Sequence, residues 1–354
     1  MSKPLRVLYL TNVLSEYRIP ILELMCKDVR LTVAHTGTPM WKSGHLFNEI
    51  ILHSYKIGPF NFIKEDLFPI ACDNDVLLIL GEIKCISFTR LVFRKNRPYK
   101  VCFWGIGVSA SYSKRFDEVK RWDKIRFFIM RQAESLVFYS DYPIKKYVEA
   151  GINESRLFVA HNTVEVKYNP VGTTRDILLF VGTMYKQKNI FSLLENYKNA
   201  MQKVDKMPEL HLIGGGDGLS DVRKWIEDQH LNNMIFTHGP IYDETTLAKY
   251  HQKSIASISP GQAGLSVLKS MGYGSPFITM NNSITGGERS NILNEHNGIL
   301  YDKESELESI LIDIVNNKEK YLKMGKLAKE YYDNFRTPQI MVDGLLNAIK
   351  YCIK

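Results

Sequence analysis

The chain has 354 residues, 45% of them hydrophobic and 24% charged, with a formal net charge of +8. At roughly 150 residues per domain this length predicts about two domains, and the apolar content excludes a disordered chain. The longest uncharged stretch, Ser270 to Gly287, is broken by Gly, Pro, Ser and Asn, which excludes it as a membrane span. The opening MSKPLRVLYLTNV runs into a strand-like segment without the apolar core and cleavage site of a signal peptide, so a cytoplasmic protein is expected. Cys26, Cys72, Cys85, Cys102 and Cys352 are scattered and form no Cys-x-x-Cys pair, against a disulfide framework, a zinc site or a redox motif. The positive charge points to an anionic partner; nucleic acid is set aside because no recognition motif accompanies diffuse basic residues.

In chain order, Leu5–Thr11 predicts a strand, Tyr17–Lys27 a helix and Val29–His35 a second strand. Val76–Leu80, Lys100–Trp104 and Ser135–Tyr139 repeat the theme. Their continuous apolar runs are what a parallel sheet covered on both faces demands. Tyr142–Ala150 predicts a helix closed by Gly151, and Leu157–Ala160 another strand. Between His161 and Arg175 the pattern lapses into Asn, Pro, Gly and Thr, the signature of a linker. A second series follows, with strands at Ile177–Val181, Leu210–Ile213, Ile235–His238, Ala256–Ile258 and Phe277–Thr279 alternating with helices. The tail from Glu304 is almost wholly helical. This α/β order predicts two doubly wound, Rossmann-like domains facing a central cleft. Expected boundaries are 1–165, 166–335, and a C-terminal helix 336–354 returning to the N-terminal domain.

Ligands of such sheets bind where strand-end loops and helix amino termini converge. Ile177–Val181 exits into Gly182-Thr183-Met184-Tyr185-Lys186-Gln187-Lys188, Leu210–Ile213 into Gly214-Gly215-Gly216-Asp217-Gly218, and Ser257–Ser259 into Pro260-Gly261-Gln262-Ala263-Gly264-Leu265-Ser266. Glycines let backbone approach a ligand closely, so these loops together predict a diphosphate cradle, although each alone reads equally as a turn. Asp73-Asn74-Asp75 is the one Asp-x-Asp, but it precedes its strand and reads as a polar turn.

The C-terminal half resembles glycosyltransferase family 4, the retaining nucleotide-sugar enzymes of the GT-B fold. The matching stretches are LLFVGTMYKQKNIFSLLENY (178–197), LHLIGGGDG (210–218), IFTHGPIYDETTLAKYHQKS (235–254), SISPGQAGLSVLKSMGYGSPFIT (257–279) and HNGILYD (296–302). The N-terminal half matches more loosely through VLYLTNVLSEYRIPILELM (7–25), FWGIG (103–107) and LFVAHNTVEV (157–166). The resemblance implies a GT-B architecture and a metal-independent, retaining transfer of a sugar from a nucleotide donor to a glycan acceptor in surface polysaccharide synthesis. It implies no cofactor and no metal. Lys188 matches the lysine that contacts the donor diphosphate, while the partnering arginine is replaced by Thr183. The family's two glutamates fall on Gly261 and Lys269, and Lys269 has donors where the ribose needs an acceptor. Glu288, in Gly286-Gly287-Glu288, matches a segment that carries a carboxylate in relatives lacking the pair.

The donor is thus expected to meet Gly182, Thr183, Lys188, Gly214, Gly215, Gly216, Gly264, Leu265, Ser266 and Lys269, with Lys188 and Glu288 catalytic. The acceptor, free or lipid-linked, is expected against Tyr17, Arg18, Trp104 and Gly105; for Arg18 a structural salt bridge is the alternative. Ser111 to Gln132 predicts a basic amphipathic helix, with Phe116, Val119, Trp122, Ile125 and Ile129 near one face. It suits either an anionic membrane surface or ordinary core packing. Replacement of Thr183, Gly261 and Lys269 leaves a second reading open, a catalytically degenerate GT-B partner or scaffold subunit.

Overall fold

The computed structural model describes residues 3–39, 45–111, 115–167 and 174–354. The chain divides into two compact units. The first comprises Met1–Ala110, Asp117–Glu165 and Thr337–Lys354; the second comprises Ser111–Phe116 and Val166–Arg336.

The first unit is built on parallel strands β1 (Leu5–Thr11), β2 (Val29–His35), β3 (Asn48–Ile51), β4 (Val76–Leu80), β5 (Lys100–Gly105), β6 (Ser135–Phe138) and β7 (Leu157–Val159). Their order is β7-β6-β5-β4-β1-β2-β3, so the winding reverses between β1 and β4. Alternate residues serve opposite faces. Leu8, Leu10, Leu77, Ile79, Val101 and Phe103 pack on one side with Phe88 and Tyr147. Val7, Tyr9, Leu78, Cys102 and Trp104 pack on the other against Leu22, Met341, Leu345 and Ile349. The last three belong to helix Pro338–Cys352, whose start Thr337 caps by accepting from the Ile340 amide. A Cβ on Gly344 would lie 2.3 Å from the Val159 carbonyl, so this helix rests backbone-close on β7. Ser135 Oγ donates to the Ala348 carbonyl at 3.1 Å in the same contact.

The second unit repeats the plan with β8 (Ile177–Val181), β9 (Glu209–Ile213), β10 (Ile235–Thr237), β11 (Ser254–Ile258), β12 (Phe277–Met280) and β13 (Gly298–Tyr301). All are parallel in the order β10-β9-β8-β11-β12-β13, with the reversal between β8 and β11. Leu178, Phe180, Leu210 and Leu212 meet Leu193, Leu194 and Tyr197 of helix Ile190–Met201. Leu179 and Ile213 meet Leu247 of helix Glu244–Lys253 on the other face.

The long amphipathic helix expected over 111–132 is corrected. Arg115–Phe116 is extended and only Asp123–Met130 is helical; residues 112–114 lie outside the described residues. Asp117 adopts a left-handed conformation at φ 58°. Its carboxylate accepts from Lys146 Nζ at 2.6 Å and from Tyr142 at 3.0 Å, drawing the chain into an ionic cluster instead of a helical turn. Within the short helix Arg126 is buried against Asp123, while Ile125 and Phe128 face solvent. Among the described residues no helix is long and apolar enough to cross a membrane.

Candidate functional site

In the second unit the loops leaving β8, β9 and β11 are stitched together. Met184 N donates to the Gly215 carbonyl at 2.6 Å, Gly218 N to Met184 O at 2.9 Å, and Gly261 N to Lys188 O at 3.1 Å. A Cβ on Gly214 would stand 1.9 Å from the Gly182 carbonyl, and one on Gly216 2.7 Å from Thr183 Cγ2. Gly261, where the resemblance placed a glutamate, is held almost as tightly as Gly214: its Cβ would lie 2.1 Å from Gln187 O. The glycine there lets the Lys188 turn dock on the β11 loop. Gly264 faces open space, and Leu265 and Ser266 after it are half-buried at the start of helix Ser266–Gly272.

At the centre lies Lys188, only 7% exposed. Its ammonium nestles against Gly182, whose Cβ would come within 3.0 Å of Nζ. Burial lowers its pKa to about 8, and no carboxylate contributes to the shift. Among the described residues no acceptor or acidic group pairs with it. A buried ammonium without a partner costs several kcal/mol unless an anion arrives, so the arrangement is chemically an anion receptor.

The expected donor residues separate here. Gly182 lies against the Lys188 ammonium, Gly214 packs on Gly182, and Gly216 packs on Met184 and the exposed Thr183, whereas Gly215 faces Pro240. Lys269 does not present a free charge: Glu244 Oε2 accepts from it at 2.5 Å, and Tyr273 donates to Glu244 Oε1 at 2.8 Å. The ring of His251 stacks on Tyr273 at 5.0 Å, and burial lowers its pKa to about 3, keeping it neutral. Glu244 and Tyr273 were not singled out from sequence, because neither carries a motif. Glu288, expected to serve the sugar, is engaged within its own loop. It is buried, accepts from the Gly286 amide at 2.9 Å and from Thr285 at 3.4 Å, and holds its own turn.

The first unit has a comparable centre. Arg18, 5% exposed, precedes helix Ile19–Met25 and lies over the rings of Tyr17, Trp104 and Tyr139 at 4.9, 4.8 and 4.8 Å. It donates to Asn162 Oδ1 at 3.0 Å and to Met341 Sδ at 3.4 Å. The alternative of a salt bridge is not what the geometry holds. Trp104, expected to meet an acceptor, is corrected: its ring is wholly buried and supports Arg18 from beneath. Gly105 is likewise buried, at the junction where Gly81 N donates to Trp104 O at 2.8 Å.

Asp73-Asn74-Asp75 is a turn whose Asp75 pairs with Arg6 at 2.7 Å. Among the described residues no three His, Cys, Asp or Glu side chains form a metal-binding group. A cavity of about 1020 Å³ in the second unit, lined by Ile177, Met207, Glu209 and Lys253, lies at the amino ends of β8 and β9. That is the end opposite to where switch-point ligands bind.

Residues 164–331 match the family model described as glycosyl transferases group 1. The chain is similar to an uncharacterized glycosyltransferase of Methanocaldococcus jannaschii, 22% identical over 74% of this chain and 72% of that protein. Its fold is similar to a crystal structure of a glycosyltransferase from Rickettsia africae, with TM-score 0.73, 16% identity and complete coverage of both chains. It is also similar to Anabaena HepE in complex with UDP and glucose, with TM-score 0.71, 12% identity and coverage of 98% and 99%. With two parallel sheets of reversing order, this chain is a glycosyltransferase of GT-B fold whose residues 164–331 carry the group 1 glycosyltransferase domain.

Proposed function

We propose that the second unit binds a nucleotide-sugar donor by its diphosphate and that the enzyme transfers the sugar, without a metal ion and with retention, to a glycan acceptor held by the first unit. The observation that carries this reading is Lys188: a buried, carboxylate-free ammonium among glycine loops at a sheet's topological switch point. The UDP and glucose bound by the similar Anabaena protein support a nucleoside diphosphate as the leaving group.

As the sugar–phosphate bond breaks, negative charge grows on the diphosphate. Lys188 Nζ and the amides of Gly264, Leu265 and Ser266 meet that charge in place of a cation. The acceptor hydroxyl then attacks from the face the diphosphate is leaving, and its proton passes to the departing phosphate oxygen. Each such donor is worth about 2.7–4 kcal/mol in the transition state. Lys188→Ala therefore lowers turnover by about 100- to 1,000-fold while far-UV circular dichroism stays unchanged; turnover near wild type rejects the assignment.

The acceptor is proposed to be a lipid-linked glycan of surface polysaccharide synthesis, reached at the inner face of the plasma membrane. Phe93 and Phe128, both exposed, stack at 5.7 Å; exposed Lys124 and Ile125 share the helix of Phe128, and exposed Arg94 and Lys95 follow Phe93 in the chain. Exposed aromatic side chains among lysines and arginines suit an anionic bilayer interface. Co-sedimentation with phosphatidylglycerol vesicles at low salt tests this: Phe128→Ser weakens binding, and absence of wild-type binding removes the membrane step.

A further inference from the structure

Arg18 occupies in the first unit the place that Lys188 occupies in the second. Each follows the first strand of a parallel sheet whose order reverses beside that strand, and each sits at the entrance to the first helix. Both are more than nine-tenths buried, and no carboxylate among the described residues pairs with either. For Arg18, burial opposes the charge, while the phenols of Tyr139, Tyr17 and Tyr9 favour it; no acidic residue takes part. A guanidinium has five N–H donors and stays charged at any physiological pH. Asn162 and Met341 accept from two of its nitrogens. Directly beneath it, the indole Nε1–H of Trp104 is buried with no acceptor. Aromatic faces attenuate the cost of a buried cation by about 0.5–2 kcal/mol each, but they do not neutralise it or accept its in-plane hydrogen bonds.

We propose that Arg18 is a second anion receptor, which recognises an oxyanion, phosphate or carboxylate, carried by the molecule that receives the sugar. The three rings surround the guanidinium carbon at 4.9, 4.8 and 4.8 Å. Asn162 and Met341 use only one N–H of each terminal nitrogen, so a bidentate contact with two oxygens of one anion is the interaction that would answer the charge. Such a site admits a charged acceptor and discriminates against a neutral sugar of the same shape, because the neutral group leaves the cation unanswered. The acceptor part of this inference rests on the division of roles proposed above; the anion-binding part does not.

The test uses the full chain carrying Lys188→Met, so that the second unit's ammonium cannot contribute, with Trp41, Trp122 and Trp225 each changed to Phe so that only Trp104 emits. The probes are glycerol 1-phosphate, methyl α-glucuronide and the neutral methyl α-glucoside. Emission of Trp104 is expected to change saturably with at least one anion and not with the glucoside; the anion giving the tighter response identifies phosphate or carboxylate as the source. Arg18→Gln is expected to weaken that response at least tenfold, and Arg18→Lys to restore part of it. No saturable response to either anion, or an equal response in Arg18→Gln, overturns the proposal. If Arg18→Gln does not fold, equal responses to anion and glucoside in the Arg18 protein overturn it as well. Failure of the donor reading is seen separately, as UDP binding that is unchanged by Lys188→Met.

Discussion

The two buried cations solve one problem by different chemistry. In the first unit Arg18 keeps its charge permanently, shared among three rings, an amide oxygen and a thioether. In the second unit Lys188 lies among glycines, with nothing to delocalise its charge, and burial brings its pKa down to about 8. Arginine thus gives a site indifferent to pH, and lysine one whose charge is weakly held and released to solvent in mildly alkaline conditions. The same topological position accommodates both because the first helix of a doubly wound unit begins where the strand order reverses.

The difference can be sharpened by titration. Lys188 is charged below pH 8, so diphosphate affinity is expected to be level there as far as this group is concerned, and to fall about tenfold per unit above pH 8. Between pH 8 and 10 that is about 100-fold, measured by calorimetric titration of UDP; an affinity flat to pH 10 breaks the contrast. Oxyanion binding at Arg18 is expected to show no such fall.

Gly261→Glu restores the family's residue, yet its side chain would enter space held by Gln187 O. Overpacking of this kind costs about 1–3 kcal/mol, so thermal unfolding is expected to shift down, and an unchanged midpoint would show that the Lys188 turn yields. Arg18→Lys loses ring stacking and is expected to destabilise the protein by about 1–2 kcal/mol in urea unfolding. The smallest effect is expected for Lys269→Met, since Glu244 is 38% exposed and an ion pair of this kind contributes about 0–1 kcal/mol. A large rise in donor KM in that variant would return Lys269 to the donor site.

Much of the fold was legible because strands such as VLLIL at 76–80 are buried on both faces and read as continuous apolar runs. The glycine loops and Lys188 were legible for a related reason: they follow strands directly, and proximity in sequence is proximity in space. The Arg18 box was not, since Trp104, Tyr139, Asn162 and Met341 arrive from remote segments. Nor was the Lys269–Glu244 pair, which joins two helices through side chains that carry no motif. The helix expected at 111–132 misled because apolar spacing registers a period but not the pull of Asp117 toward Lys146.

The central claim is that Lys188 is kept buried and unpaired for a ligand's diphosphate, at a cost to the empty protein. Relative to an ordinary lysine at 10.5, a pKa near 8 means that the folded state holds this proton less tightly than the unfolded chain. Stability of the empty protein therefore rises with pH across that window, and at pH 7 the charged group costs about 3 kcal/mol. Thermal unfolding of wild type and Lys188→Met at pH 7, with and without UDP in EDTA, measures both halves at once. The variant is predicted to unfold at a higher temperature when empty and to gain nothing from UDP; a lower midpoint, or an undiminished UDP shift, would contradict the account.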